Sequence, residues 1–167
     1  MTTGTTFGRL TAVRVPFDHP DAVALRQAAV RELAERYGND EDSKEVIEPA
    51  TIAATIVLRV ADVAAAGGSI RDVSLSDDGV GGHHPPATGE LKRMFVVKDF
   101  RRRGLAKRLM EELESAAREA GLTRLVLETG TGQPEAVALY EKLGWTRIPP
   151  YGKWADSDDQ LCYGKSL

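Results

Sequence analysis

Residues 89 to 128 read as a strand, a helix and a strand, and that succession constrains the fold more than any other stretch of the chain. Gly89 to Val97 is strand-like, and largely apolar from Leu91 onward. Leu105, Leu109, Leu113, Ala116 or Ala117, and Ala120 recur at helical spacing, and Gly121 is placed to stop that helix. Arg124 to Glu128 (RLVLE) reads as a second strand. This order predicts a right-handed βαβ crossover.

The junction of the first strand with the helix breaks a local rule. Arg101, Arg102, Arg103, Lys107 and Arg108 crowd a helix N-terminus, which carries partial positive charge and unpaired N–H groups and so favours acidic side chains. The local cost is explained if an anion docks there, where N–H donors, dipole and cations converge. Gly104 lets the backbone come close to such a ligand. The other reading is a solvated basic patch.

The rest of the chain fits around this unit. Leu10–Val15 reads as a strand, and His19-Pro20-Asp21 as a break. Ala22, Leu25, Ala29, Leu33 and Tyr37 form a helical stripe closed by Gly38. Asn39–Lys44 is a polar connector, and Ile52–Val60 is a strand rich in β-branched residues. Gly67-Gly68 reads as a turn, with Ser69–Leu75 as the hairpin partner and Ser76–Thr88 as a loop. Pro134 opens a further helix burying Ala136 or Val137, Tyr140 and Leu143 and stopping at Gly144. Short strands are expected near Trp145–Ile148 and Gln160–Gly164. The fold class is therefore α/β with mixed order: a mixed β-sheet flanked by helices.

The 167 residues suit one domain, 1–167. A net charge of −3 argues against a general nucleic-acid binder. Cys162 is the sole cysteine, so no internal disulfide and no CxxC motif exist, which fits a reducing cytoplasm. No basic segment followed by an apolar core opens the chain, so no signal peptide is expected. No apolar run approaches the roughly 18 residues of a spanning helix, so the expectation is a cytoplasmic protein without a membrane partner. Walker A, GxGxxG, HExxH and GxSxG patterns are absent. His83 and His84 are adjacent and read as exposed loop residues, so no metal site is expected. Cys162, in an apolar strand, reads as a packed hydrophobe.

RRRGLA, Arg101 to Ala106, fits the pattern Q/R-x-x-G-x-G/A. Upstream stands GELKRMFV (Gly89–Val96), and downstream stand LVLETG (Leu125–Gly130) and QPEAVALYEKLGW (Gln133–Trp145). Together these resemble the acetyl-CoA-binding half of the GNAT superfamily of N-acetyltransferases, and in particular a group of small bacterial members. The resemblance implies a splayed mixed sheet with acetyl-CoA in the opening between the strand ending at Val97 and the strand beginning near Arg124. It implies pantetheine pairing with backbone at Phe95 and Val96, as an added strand does. It places the diphosphate against the segment Arg101, Arg102, Arg103, Gly104, Leu105, Ala106 and Lys107. Gln133 stands where many relatives carry an asparagine that holds the cofactor arm; it keeps the amide but lengthens the reach.

The implied chemistry is attack of an amine on a thioester. Tyr140 matches the family tyrosine of the LY pair that protonates the departing sulfur; otherwise it is a core aromatic. Glu90, six residues before Val96, matches the position where some members carry a general-base glutamate; otherwise it pairs with Lys92 or Arg93, and many relatives use water chains. Glu128 is a second acidic candidate, and a carboxylate base needs a pKa raised by burial or by a like-charged neighbour. Arg71, Lys92 and Arg93 suit an acceptor carboxylate if they face the cleft; otherwise they pair with Glu90, Asp72 or Asp99. The resulting expectation is an acyltransferase moving acetyl to a small-molecule amine. The alternatives are a peptide or protein amine as acceptor, or a non-catalytic module of the same fold that senses CoA or binds a partner. A homodimer is compatible with the family.

Overall fold

The computed structural model describes residues 8–39 and 45–167. Its elements run β1 (Leu10–Arg14), α1 (Pro20–Tyr37), β2 (Ile52–Val60), β3 (Val63–Asp72), β4 (Thr88–Val96), α2 (Leu105–Glu119), β5 (Arg124–Gly130), α3 (Pro134–Lys142), β6 (Thr146–Arg147) and β7 (Gln160–Ser166). The strands form one sheet in the order β1-β2-β3-β4-β5-β7-β6. β4 and β5 are parallel, joined by α2 as the strand–helix–strand reading requires, while the other neighbours are antiparallel.

The helices cover both faces of the central strands. Ala54–Leu58 of β2 and Ala65–Ile70 of β3 are buried without alternation, the pattern of strands covered on two sides. α2 presents Leu105, Leu109, Met110, Leu113, Ala116 and Ala117 to the main core. Ala120, expected on that stripe, is the exposed C-cap residue just past the helix, and Gly121 (φ 81°) follows it in the left-handed conformation that ends a helix, as expected. α1 supplies Ala22 and Leu25 to a second cluster with Val57 on the other face. His19-Pro20-Asp21 does not break the chain but starts α1. Pro20 takes the first turn, and His19 Nδ1 accepts from the Asp21 N–H at 3.2 Å.

Gly67-Gly68 is not a turn. Both lie inside β3, and the hairpin turns at Ala61-Asp62. The glycines are needed for thickness rather than reversal. A Cβ at Gly67 would stand 2.8 Å from Leu25 Cδ1 of α1, and one at Gly68 would stand 3.1 Å from Leu113 Cδ1 of α2. Successive strand residues point to opposite faces, so the pair admits one helix on each side. β3 ends at Asp72, short of the expected Leu75, and β6 is shorter than Trp145–Ile148. The connector Asn39–Lys44 lies, beyond Asn39, outside the described residues.

Candidate active site

The sheet opens where β4 and β5 part. They pair only over Thr88–Glu90 and Arg124–Val126. Just beyond, β4 bulges: Arg93 and Met94 together face Gly68, and Arg93 adopts φ 55°. A bulge bends its strand and increases local twist, and a non-glycine residue at positive φ is strained. The opening holds a cavity of about 290 Å³ between α1, β4, β5 and the loop before β7. Glu90, Phe95, Glu128, Gln133 and Tyr140 line it, so the structure gathers residues the sequence named from β4, β5 and α3 with its N-cap.

At the outer end lies the basic run. Arg102 (φ 64°) and Gly104 (φ 78°) are both left-handed, and a Cβ at Gly104 would meet nothing within 4 Å. α2 begins with no side-chain cap and no acidic residue in its first turn, leaving its N–H groups to another acceptor. Leu105 is buried in the core, so only its backbone faces this end. Lys107 and Arg108 pair with Glu111 and Glu112 one turn on. Arg101 turns inward: Nε donates to Val96 O at 2.9 Å and Nη2 to Glu32 Oε1 at 2.7 Å. Its guanidinium clamps the end of β4 to α1, and the Val96 carbonyl is engaged by it.

The carboxylates Glu90 and Glu128 differ sharply. Glu90 is 2% exposed. It accepts from Arg71 Nη2 and from the Tyr151 hydroxyl at 2.8 Å, with Lys92 Nζ 3.9 Å away. The expected pairing with Lys92 or Arg93 is thus secondary to Arg71 and Tyr151. The expected partners Asp72 and Asp99 give way to Glu90 and Glu45 around the three cations. Glu128 is half-buried and, among the described residues, receives one side-chain donor, Gln160 Nε2. Burial first, and the Glu90 charge second, push its carboxyl up to about 7.

The cover over Glu128 is the segment 149–159. At Gly152 (φ 78°) it comes close, since a Cβ there would stand 2.8 Å from Glu128 Oε1. Gln160 Nε2 also donates to Tyr151 O at 2.9 Å. The Gly152 N–H donates to Asp78 O at 2.7 Å, tying this cover to the loop before β4. His84, expected to be exposed, is buried there with its ring edge-on to Tyr151 at 5.1 Å; His83 is exposed as expected. Sequence reasoning missed Tyr151, Gln160 and Gly152, for which only the PPYG turn residues offered a signal.

Tyr140 packs against Trp145 and Tyr163 at the cavity base, and burial alone pushes its hydroxyl up to about 12. Gln133 Nε2 donates to the Tyr37 hydroxyl at 3.4 Å. Tyr37 also explains the glycine of LETG: a Cβ at Gly130 would overlap the Tyr37 hydroxyl at 2.0 Å. Cys162 faces Glu128 across the β5–β7 pair, 2% exposed, and burial pushes its thiol up to about 11, as suits a packed side chain rather than a nucleophile. Among the described residues no His, Cys, Asp and Glu group could hold a metal ion, and no helix is long and apolar enough to cross a membrane.

The sequence profile of the acetyltransferase (GNAT) family matches residues 26–145, from within α1 through β2, β3, β4, the basic run, α2 and β5 to just past α3. The chain belongs to that family. Among curated proteins it is 42% identical over 79 residues to an IAA acetyltransferase of Azospirillum brasilense, covering 47% of this chain and 52% of that protein. It is also 42% identical over 74 residues to the uncharacterized N-acetyltransferase YjgM of Escherichia coli (strain K12), covering 41% and 44%. The chain thus spans about half the length of the curated relatives it matches. Among solved structures, a Klebsiella pneumoniae protein assigned to the acyl-CoA N-acyltransferases superposes with TM-score 0.73 at 23% identity, covering 95% of this chain and 97% of that one. A GNAT family acetyltransferase from Elizabethkingia anophelis with acetyl-CoA bound superposes with TM-score 0.67 at 15% identity, covering 95% and 98%. At these identities the likeness establishes the GNAT fold, the splayed mixed α/β sheet implied by the motifs.

Proposed function

We propose that the chain is an N-acetyltransferase that moves an acetyl group from acetyl-CoA directly to the amine of a small molecule, in the cytoplasm. The observation that carries the reading is Glu128: a carboxyl held at about 7 in the cavity where β4 and β5 part, with Tyr140 in the same cavity. A base poised near the working pH is what removal of a proton from an ammonium requires. The fit to the cofactor rests on the uncapped start of α2, the open space at Gly104 and the β5-facing edge of β4 beyond Glu90, which has no strand partner among the described residues. When bound, acetyl-CoA supplies the thioester carbonyl as electrophile.

The chain's own residues then divide the work. The backbone of Arg102–Lys107 holds the diphosphate, with the exposed Arg102, Arg103 and Lys107 adding charge. Phe95 and Gln133 line the route inward. Glu128 accepts the proton of the acceptor ammonium, freeing the lone pair that attacks. Glu90, fixed by Arg71 and Tyr151, is the neighbouring charge that raises the proton affinity of Glu128; it is a positioning residue rather than the base. Tyr140 hydrogen-bonds the departing sulfur. A tyrosine at about 12 is a weaker acid than the free side chain, but the same dry pocket also raises the proton affinity of a thiolate.

The test is calorimetric titration of acetyl-CoA into the parent and Gly104→Glu, followed by CoA release with a panel of amines. Tight binding lost in Gly104→Glu, with turnover abolished by Glu128→Gln, is the expected result. Binding without turnover of any amine would favour a CoA-sensing module, and no binding would overturn the reading.

A further inference from the structure

The acceptor side of the cavity, on the acyl-transfer reading above, carries a set of groups that proton transfer does not use. Arg71 of β3 and Lys92 and Arg93 of β4 converge on the carboxylate of Glu45. Lys92 Nζ donates to its two oxygens at 2.8 and 3.0 Å. Arg93 Nη2 lies 3.5 Å from one oxygen and Arg71 Nη2 3.6 Å from the other. The three cationic side chains retain only 8–22% exposure. Cations so dry need an anion. Glu90 meets Arg71, but its contact with Lys92 is 3.9 Å. Lys92 and Arg93 are matched instead by Glu45, which belongs to no strand and stands in the coil ahead of β2.

Glu45, Lys92, Arg93 and Glu128 all line the one cavity, and Lys92 is among the charges acting on Glu128. The basic and acidic groups therefore sit within reach of one small ligand. We propose that Arg71, Lys92 and Arg93 form a carboxylate-binding subsite for the acceptor, and that Glu45 is an internal carboxylate competing for it. The acceptor class is an amine that also bears a carboxylate, the simplest being an amino acid, whose ammonium meets Glu128 while its carboxylate replaces Glu45 on Lys92. Ammonium clusters and guanidinium forks are the side chains that recognise carboxylates through charge-assisted hydrogen bonds. The rival is a dicationic acceptor drawn to Glu45 itself, and it demands the opposite response to neutralising that residue.

The experiment compares matched acceptors with and without a carboxylate: L-tyrosine with tyramine, L-histidine with histamine, and L-lysine with cadaverine, with CoA release as the readout. The carboxylate-bearing member is expected to be the better substrate. Glu45→Gln should lower its KM by about tenfold relative to that of the decarboxylated partner, the scale of one charge-assisted contact. Lys92→Met should raise that KM by about tenfold or more; Lys92→Arg, which keeps the charge, serves where Lys92→Met does not fold. A raised KM in Glu45→Gln, or a preference for the decarboxylated amines, overturns the proposal. Calorimetry with 3-phenylpropionate, which has a carboxylate and no amine, separates this from the transferase reading. Binding that tightens in Glu45→Gln supports the subsite even if no amine is acetylated. No binding, with amines acetylated regardless of their carboxylates, removes the subsite and leaves the transferase.

Discussion

The two walls of the opening carry one carboxylate each, and they are held in opposite ways. On the β4 wall Glu90 is fixed by Arg71, Tyr151 and Lys92. On the β5 wall Glu128 has, among the described residues, Gln160 as its one side-chain donor, beneath the cover at Gly152. Position along the strand barely distinguishes them: Glu90 pairs with Val126, two residues before Glu128. What separates a fixed charge from a proton acceptor is supplied by other parts of the chain. A carboxyl that is dry and sparsely paired is held near neutrality, where it can take up and release a proton.

Exchanging each carboxylate for its amide tests the contrast most directly. Glu128→Gln is expected to lower kcat by about 10²–10⁴, the usual contribution of a general base, with acetyl-CoA affinity retained by calorimetry. Equal losses in Glu90→Gln and Glu128→Gln would erase the distinction. Stability should respond with opposite signs. Glu90→Gln leaves Arg71 short of its main partner and is expected to cost about 3 kcal/mol in urea unfolding. Glu128 has a folded-state pKa above its unfolded value of 4.5. Its carboxyl therefore penalises the folded chain progressively as pH climbs from about 4.5 to about 7, and uniformly above that. Glu128→Gln should stabilise the protein at pH 8 by at most about 3 kcal/mol and do little at pH 4. A loss of stability at pH 8 would mean that Glu128 is held as Glu90 is.

Smaller effects sharpen the same picture. The acid limb of kcat/KM should fall near pH 7, and Glu90→Gln, by removing the neighbouring charge, should move it down by about one unit or less. An unmoved limb would separate the two walls electrostatically. Tyr140→Phe is expected to reduce kcat about tenfold with KM little changed, since it removes one hydrogen bond to developing charge.

The sequence made the β5–α2–β4 unit legible because its signals are local: a stripe of Leu and Ala, a stop at Gly121 and an uncapped basic start. The Gly67-Gly68 pair misled because a doubled glycine signals both a turn and close packing. Only the positions of Leu25 and Leu113, on helices far along the chain, decide between them. Tyr140 and Glu90 were found by motif, yet the motif says nothing of what surrounds them. The proposed mechanism puts Glu128 ahead of Glu90 because of Tyr151, Gly152 and Gln160, which come from an irregular segment with no periodicity to read. The same limit hid Glu45, which reaches the cations from outside the sheet.

Cys162 lies opposite Glu128 on the strand that closes β5, and it is the chain's one cysteine. A thiol reagent reaches it only when β7 and the 149–159 cover lift away, so its labelling rate is a clock for breathing of the wall that carries Glu128. A ligand seated against Glu128 slows that clock, while one confined to the far end of α2 leaves it running at the same speed.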